Sequence, residues 1–112
     1  MTRPAWLTVL TTTDTEEKAG ALARGAVEAR LAACAQISAP VLSVYRWEGA
    51  VETGQEWQVL FKTTAERYDE LESHLLAAHD YGTPEIIATP VVRGSDRYLA
   101  WVSAETAPVA TL

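Results

Sequence analysis

The residue types that most often bind metals or catalyse reactions are scarce in this 112-residue chain. Cys34 is the only cysteine, and His74 and His79 are the only histidines. His79 and Glu85 lie six positions apart, separated by a segment, Tyr81–Pro84, that favours a turn. Because imidazole and carboxylate ligands together suit Cu²⁺, His79 and Glu85 are the candidate ligands for copper or another divalent cation. The alternative interpretation of His79 is that it stabilises the carboxyl end of a helix.

Two charged residues, Glu56 and Lys62, share one face of a predicted strand. They are six residues apart, which is roughly 20 Å at the rise of a β-strand. The two side chains therefore cannot pair with each other, and an unpaired charge buried in a sheet costs on the order of several kcal/mol. Each of them needs a partner on another strand or on another subunit.

Aromatic side chains are concentrated in the chain from residue 45 onwards, notably Tyr45, Trp47, Trp57, Tyr98 and Trp101. This pattern favours packing in a core or a subunit interface, and a pocket that stacks on a ligand is the alternative. Cys34 follows three small or apolar residues at the predicted end of a helix. We therefore expect a buried, inert thiol.

Composition and motifs exclude several classes of protein. Fifteen acidic and nine basic residues give a net charge of −6, which disfavours binding to nucleic acids or anionic membranes. The longest uncharged stretch, Leu31–Tyr45, has 15 residues and contains Pro40, so it is too short to cross a bilayer. A lone cysteine cannot form an internal disulfide, which predicts a cytoplasmic protein. With no nucleophile–base arrangement in the sequence, we predict no enzymatic activity and no required cofactor.

The first part of the chain predicts a strand followed by a helix. Residues 5–12 are rich in apolar and β-branched side chains, which is typical of a strand. Thr13, with Glu16 three residues later, fits a capping box that begins a helix. The apolar residues behind it recur at helical spacing and are mostly alanine. Such a helix can lie close against a sheet.

The middle of the chain predicts two strands joined by a hairpin. Residues 35–51 are rich in β-branched and aromatic side chains, with Pro40 as a bend or an edge marker. Residues 56–64 alternate between two faces, which predicts a strand with one face buried. The preferred hairpin tip is Thr53–Gly54, and Gly49–Ala50 is the alternative.

The last part predicts a helix, a strand and a short final helix. A second capping box at Thr63–Glu66 begins a helix that ends near His79. A strand over residues 85–92 follows, and Gly94–Asp96 begins the last helix. We expect the tail from Ala107 to be loose.

The predicted order is β-α-β-β-α-β plus a short C-terminal helix, which is the ferredoxin-like arrangement of the α+β class. It forms one domain over residues 1–112, with a core of about 5–103. Right-handed crossovers place both long helices on one face of a four-stranded antiparallel sheet. The other face is left bare and carries large apolar side chains, which predicts that the chain forms an oligomer.

Five strings of residues carry a resemblance that covers about residues 7–102: RLAACAQI at 30–37, YRWEG at 45–49, Glu56 with KTT at 62–64, HDYGTPEII at 79–87 and YLAW at 98–101. In this order and at these intervals they resemble the CutA family of divalent-cation tolerance proteins. The resemblance implies a ferredoxin-like fold, a homotrimer similar in architecture to the PII nitrogen-regulatory proteins, and a link to copper and other divalent metals.

The polar and aromatic members of these strings are the candidate ligand-binding residues. The resemblance implies a cleft between subunits, and we expect several of these residues to converge there: Glu56, Lys62, Tyr81, Tyr98 and Trp101, together with the candidate metal ligands His79 and Glu85.

The chain also departs from the family pattern. The family often has proline where Asp80 stands. Some bacterial members carry a cysteine, proposed as a copper ligand, where Thr11 stands, and a second histidine where Ala78 stands. Of that proposed ligand set only Glu85 remains, with His79 as the substitute. The departures weaken the prediction of specific copper binding and leave the predicted fold unchanged.

The resemblance therefore predicts a non-enzymatic, trimeric, cytoplasmic protein of the response to divalent metal ions, with copper bound at the clefts between subunits. The alternative is a PII-like small-molecule sensor or scaffold whose effects on metals are indirect. Neither function calls for a nucleic acid or a membrane as partner.

Overall fold

A computed structural model describes residues 5–109 of the chain. The predicted loose tail from Ala107 therefore lies partly outside the described residues. The elements, in chain order, are β1 (Trp6–Thr13), α1 (Glu16–Glu28), β2 (Cys34–Ile37), β3 (Val41–Trp47), β4 (Ala50–Thr64), a 3₁₀ turn (Ala65–Arg67), α2 (Tyr68–Ala78), β5 (Ile86–Pro90) and α3 (Asp96–Thr106). The predicted ferredoxin-like α+β fold is confirmed.

The strands form one antiparallel sheet in the order β2-β4-β1-β5, and β3 pairs with the far half of β4. The prediction of four strands is wrong, because the chain leaves the sheet between β2 and β3. Pro40 lies in that break, where a residue without an N–H group removes no ladder hydrogen bond. The 15-residue β4 consequently spans both the sheet and the projecting hairpin.

One face of the sheet is covered by α1 and α2. The alternation predicted for β4 is confirmed, since Val59, Phe61 and Thr63 are fully buried on this face. The alanine-rich stripe of α1 packs against them, together with Leu71 and Leu75 of α2. The core is therefore built from small side chains on α1 and larger ones on the strands and α2.

A close contact joins the two long helices. A Cβ atom placed on Gly25 of α1 would lie 3.3 Å from Nε2 of His74 on α2. The half-buried ring of His74 therefore packs against α1.

The opposite face of the sheet is partly covered by α3. Trp6 Nε1 donates to the carbonyl of Leu99 and lies 3.0 Å from Ser103 Oγ as well, and Val102 is 2% exposed. The prediction that this face is bare is therefore wrong at the end where α3 lies. Further along the same face Ile87 of β5 remains 54% exposed.

The turn of the β3–β4 hairpin is formed by Glu48 and Gly49. Trp47 pairs with Ala50, and both turn residues have positive φ angles, 50° and 82°. Two central residues in this conformation form the tight turn whose twist matches that of the strands. The predicted tip at Thr53–Gly54 is wrong, because Gly54 lies within β4 opposite Ser43, and the alternative tip was misplaced by one residue.

The caps of the helices also differ from the sequence prediction. Thr15, and not Thr13, caps α1, with its hydroxyl oxygen accepting the Lys18 N–H at 3.1 Å. Thr13 still belongs to β1. The predicted cap at Thr63 is also wrong, because Thr63 belongs to β4 and its hydroxyl donates to the Leu31 carbonyl at 2.7 Å. A 3₁₀ turn leads into α2, and Thr64, which precedes this turn, makes no capping hydrogen bond with its side chain. Within residues 5–109, no helix is both long and apolar enough to span a membrane.

Candidate functional site

A cleft of about 640 Å³ lies between the β3–β4 hairpin and the loop that joins α2 to β5. The hairpin and the end of β1 form one side of it, and the loop forms the other. Its walls combine aromatic rings, hydroxyl groups and carboxylates, including those of Thr12, Tyr45, Trp47, Glu56, Tyr81 and Glu85.

The strand register places the hairpin side chains of the cleft on one face. Directly paired residues of antiparallel strands share a face, and Val41 pairs with Glu56. Tyr45 and Trp47 follow at even spacing from Val41, so they lie on the same face as Glu56. The Tyr45 hydroxyl lies 3.8 Å from where a Cβ atom of Gly54 would stand, so its ring passes beside Gly54.

A hydrogen bond connects the two sides of the cleft. Glu56 Oε2 accepts from the Tyr81 hydroxyl at 2.9 Å. Burial raises the pKa of Tyr81 above its ordinary value of 10.0, and the hydrogen bond to the Glu56 carboxylate raises it further. The phenol therefore stays protonated at neutral pH and remains the donor. Glu56 is thus fixed by one oxygen beside the cleft.

The buried ring of His79 holds the loop in place. Its Nε2 lies 2.8 Å from the Thr12 carbonyl oxygen, while its Nδ1 accepts the Tyr81 N–H at 3.1 Å. With Nδ1 as the acceptor of the Tyr81 N–H, Nε2 is the donor to the Thr12 carbonyl. The ring also packs on Tyr81, with 4.7 Å between centroids. The ring of His79 thus bonds to β1 and to the loop, and a metal ion could reach it only by displacing one of these bonds.

Lys18 anchors the same loop from outside. Its ammonium group contacts Asp14 at 2.8 Å and also pairs with Asp80. Hydrogen bonding to Lys18 lowers the pKa of Asp80, and the two carboxylates raise the pKa of Lys18. Both partners of the Lys18–Asp80 pair are about half exposed, so the pair is weak. Asp80 thus attaches the loop to α1.

A second polar group lies at the other end of β4, below α3. Lys62 Nζ donates to Gln36 Oε1 at 2.9 Å and lies 4.0 Å from Cys34 Sγ. The Tyr98 hydroxyl is 3.4 Å from the same sulfur, and the rings of Tyr98 and Trp101 are 5.6 Å apart. The hydrogen bond with Cys34 raises the pKa of Tyr98.

Cys34 is not the buried residue in helix packing that we expected. It begins β2, pairs with Lys62 and is partly exposed. The helix ends earlier than predicted, and the chain turns through Arg30, whose φ of 61° is positive. Two hydrogen bonds from the Arg30 side chain, to the carbonyls of Ala104 and Ala107, fix the end of α3 beside this turn.

Within one protomer the predicted site residues form two groups. The cleft group comprises Glu56, Tyr81, Glu85 and the loop-anchoring His79. The Lys62 group comprises Lys62, Tyr98 and Trp101. Among the described residues, no three His, Cys, Asp or Glu side chains are close enough to hold a metal ion.

Sequence reasoning missed several contributors to the cleft. The carbonyl of Thr12 and the Lys18–Asp80 pair give no recognisable sequence motif. Asp14 and Lys18 are four residues apart, a spacing that does indicate an ion pair between them. Thr11, which stands where some family members have cysteine, is fully buried and pairs with Val59 on the helix-covered face. It therefore lies on the face of the sheet opposite Thr12.

These elements define the class of the protein as a ferredoxin-like α+β domain with an open cleft beside its long hairpin. The family model described as "CutA1 divalent ion tolerance protein" matches residues 7–105. The chain therefore belongs to the CutA1 family, and the resemblance found in the sequence is confirmed.

Individual relatives agree with this assignment. The divalent-cation tolerance protein CutA of Thermus thermophilus is 42% identical over 98 residues, covering 88% of this chain and 95% of that protein. The chloroplastic protein CutA of Arabidopsis thaliana is 38% identical over 100 residues, which are 89% of this chain and 55% of that protein. The crystal structure of CutA1 from Shewanella sp. SIB1 superposes with a TM-score of 0.92 at 33% identity, covering 96% of this chain and all of that one.

Proposed function

We propose that this chain is a non-catalytic protein that takes part in tolerance of divalent metal ions. The observation that carries this proposal is the family match over residues 7–105, together with a relative of 42% identity named for divalent-cation tolerance. Non-catalytic action is supported by the chemistry of the cleft. No histidine is among the described residues that line it, and the ring of the adjacent His79 is buried and hydrogen-bonded through both nitrogens, so it is not free to serve as a general base for a ligand.

Growth in metal tests this function. A strain without the gene should grow less well in elevated copper than its parent, and a plasmid copy of the gene should restore growth. Equal growth of the two strains across a series of copper, zinc and cobalt concentrations would contradict the proposal. Osmotic and acid stress serve as controls, because a general loss of fitness would appear under those conditions as well.

We propose further that the protein acts as a homotrimer. The hairpin face opposite Tyr45 and Trp47 exposes Leu42 (73%), Val44 (64%) and Val51 (64%), which share that face with Arg46 by strand register, and Val44 also borders the cleft. A surface with three large exposed apolar side chains on a projecting hairpin is typical of an interface. A closed ring of three copies would bury it. Native mass spectrometry should find a trimer at micromolar concentration, and a monomer would overturn this proposal.

We also propose that the Lys62 group of one protomer approaches the cleft of its neighbour. Glu56 and Lys62 are six residues apart on one straight strand, so only a neighbouring copy can bring them together. Their opposite charges suit such an arrangement. The complete ligand site would then contain Glu56 and Tyr81 of one protomer, with Lys62, Tyr98 and Trp101 of the next.

The metal set proposed from the sequence is His79 and Glu85. Glu85 is exposed and lines the cleft, whereas His79 is held by Thr12 and Tyr81. We therefore propose that copper binds there weakly and that His79 joins only after the loop rearranges. Calorimetric titration should show Cu²⁺ affinity that falls in His79→Ala and survives in Cys34→Ser. A loss confined to Cys34→Ser would place the copper site at the Lys62 group instead.

A second candidate function is that of a small-molecule sensor whose effect on metals is indirect. The cleft volume of about 640 Å³ favours it, since ligand pockets commonly occupy about 300–1,000 Å³. A bare metal ion needs far less space. A thermal-shift screen of organic acids, amines and nucleotides against the same series of metals separates the two candidates, because only the bound class raises the unfolding temperature.

The compartment proposed is the cytoplasm. The lone thiol of Cys34 is partly exposed beside Lys62, which suits a reducing environment. The Arabidopsis relative is named as chloroplastic, and the CutA structure from Archaeoglobus fulgidus is named as periplasmic. A fluorescent fusion in the source cells tests the assignment, and an extracytoplasmic signal would contradict it.

A further inference from the structure

The cleft has a composition that suits one chemical class of ligand. Building on the proposed function of this cleft as a ligand site, we propose that it binds small molecules that carry an organic ammonium group. The inference rests on three features of the described residues: the aromatic rings, the carboxylates and the size of the cleft.

The aromatic rings come from both sides of the cleft. Tyr45 and Trp47 lie on the hairpin, on the same face as Glu56, and Tyr81 lies on the opposing loop. Trp47 is 52% exposed and Tyr45 is 45% exposed, so their rings are available to a ligand. The face of an aromatic ring attracts a cation, and tryptophan does so most strongly.

The charges of the same surface are mainly negative. Glu56 and Glu85 both line the cleft, and Glu52 lies directly opposite Tyr45 on the same hairpin face. These three carboxylates outnumber the one ammonium group that Lys62 of a neighbouring copy would bring to the proposed complete site. Arg46 also borders the cleft, but strand alternation places it on the face opposite Tyr45 and Trp47. Carboxylates beside aromatic rings favour a positively charged ligand.

The size and chemistry of the walls distinguish an organic cation from a metal ion. Hard divalent cations require several oxygen ligands within about 2.0–2.6 Å, and aromatic carbon offers none. An ammonium group with alkyl substituents gains both from ring faces and from nearby carboxylates. A cleft of about 640 Å³ holds such a molecule with space for further contacts. Glu56, fixed by Tyr81, is positioned to accept its charge.

Isothermal calorimetry with choline tests the inference, with 3,3-dimethylbutan-1-ol as the matched probe. The two molecules have nearly the same shape, and only choline carries the positive charge. We expect choline to bind to the assembled protein and the neutral alcohol to bind at least about tenfold more weakly, as for cation–π recognition with nearby carboxylates. Equal affinities of the two probes would overturn the proposal.

Matched variants locate the binding site. Trp47→Leu should weaken choline binding by about fivefold or more, whereas Trp47→Phe, which keeps a ring face, should retain most of it. Glu56→Gln should also weaken binding, and Glu66→Gln, which removes an exposed carboxylate on the 3₁₀ turn, should not. Light scattering and thermal unfolding of every variant establish that the fold and the assembly are intact.

The outcomes separate this inference from the proposed function. If choline fails to bind the folded wild-type protein, or if Trp47→Leu binds it as wild type does, the inference is wrong. That result leaves the growth phenotype in copper untouched. Conversely, unchanged copper tolerance in the deletion strain refutes the metal function, while choline binding that depends on Trp47 would still support the ligand class.

Discussion

The two ends of β4 carry polar groups of opposite character on the same strand face. At one end Glu56 opens onto a cleft and is held by a tyrosine from a distant loop. At the other end Lys62 lies beside α3, and the amide of Gln36 on the adjacent strand accepts its hydrogen bond. The same strand alternation therefore produces an acidic site at the cleft, here called the open end, and a basic site beside α3, here called the covered end, and Glu56 and Lys62 are both half-buried. The difference is determined by which loop or helix folds over each end.

The largest expected effect concerns the interface that would join these ends. Introducing charge on the exposed hairpin face, with Val44→Asp and Val51→Asp together, should convert the proposed trimer to monomers. Carboxylates at the centre of an apolar interface would have to be desolvated without a partner. Native mass spectrometry measures the outcome, and Ala77→Asp, at an exposed position of α2, is the control. A double variant that stays trimeric would show that this hairpin face is not the interface.

The next largest effect concerns the stability of the covered end, where Trp6 bonds to α3. Trp6→Phe removes the indole N–H that bonds α3 at Leu99 and Ser103. We expect a loss of about 2–4 kcal/mol in the free energy of unfolding, from lost packing and from the loss of the hydrogen bonds of the indole N–H. Chemical denaturation measures it. If stability changes by less than the error of such a measurement, α3 is not anchored through Trp6.

A matched change at the open end should cost less. Tyr81→Phe removes the hydroxyl that donates to Glu56 and keeps the ring that packs on His79. The expected loss is about 1–2 kcal/mol, since the acceptor is charged but only partly buried. Denaturation of this variant beside Trp6→Phe compares the two ends directly. A larger loss of unfolding free energy for Tyr81→Phe than for Trp6→Phe would contradict the prediction that the contacts of the covered end contribute more to stability.

The smallest expected effect is the pH dependence of the ion pair between Lys18 and Asp80, which attaches the α2–β5 loop to α1. The pKa of Asp80 lies below its ordinary value of 3.8, because Lys18 donates a hydrogen bond to the ionised carboxylate. This contribution to stability is therefore present above about pH 3.8 and is lost as the pH falls through the lowered pKa. Lys18→Met should be less stable than wild type at pH 7, and the difference should shrink below pH 3.8.

A control on the same helix sharpens this measurement. Arg24→Met removes a cation whose partner, Glu28, lies on α1 itself, so the loop is unaffected. Thermal unfolding from pH 2 to pH 7 should show the loss of the Asp80 contribution in wild type and Arg24→Met, but not in Lys18→Met. A pH profile of Lys18→Met parallel to that of wild type would contradict a role for this ion pair.

Much of the fold could be predicted from the sequence, because hydrophobic spacing reports burial directly. The alanine stripe of α1 and the alternation of Val59 and Phe61 are both found as predicted. The hairpin tip was missed because Thr53–Gly54 also looks like a turn. Only the pairing of Trp47 with Ala50 identifies Glu48–Gly49 as the turn.

The candidate site was harder to predict, because its bonds join residues far apart in the chain. Glu56 and Tyr81 could be selected individually, but nothing in their spacing indicates their hydrogen bond. The use of a backbone carbonyl, that of Thr12, to fix His79 leaves no sequence signal at all. The position of α3 was missed for a related reason, since the side chains of Trp6 and Arg30, which bond to it, lie 93 and 74 residues away from their partners in the chain.

The central claim is that the cleft is completed across a subunit boundary, and chemical cross-linking tests it most directly. The native Cys34 marks the Lys62 group, and Glu85→Cys marks the cleft. Within one protomer the strand order separates these positions by three strand spacings, or roughly 15 Å. A short bismaleimide should therefore link one copy to the next in Glu85→Cys and yield dimers and trimers on a denaturing gel. Glu85→Cys combined with Cys34→Ser should yield none. A trimer by native mass spectrometry that gives no such cross-links would contradict the claim.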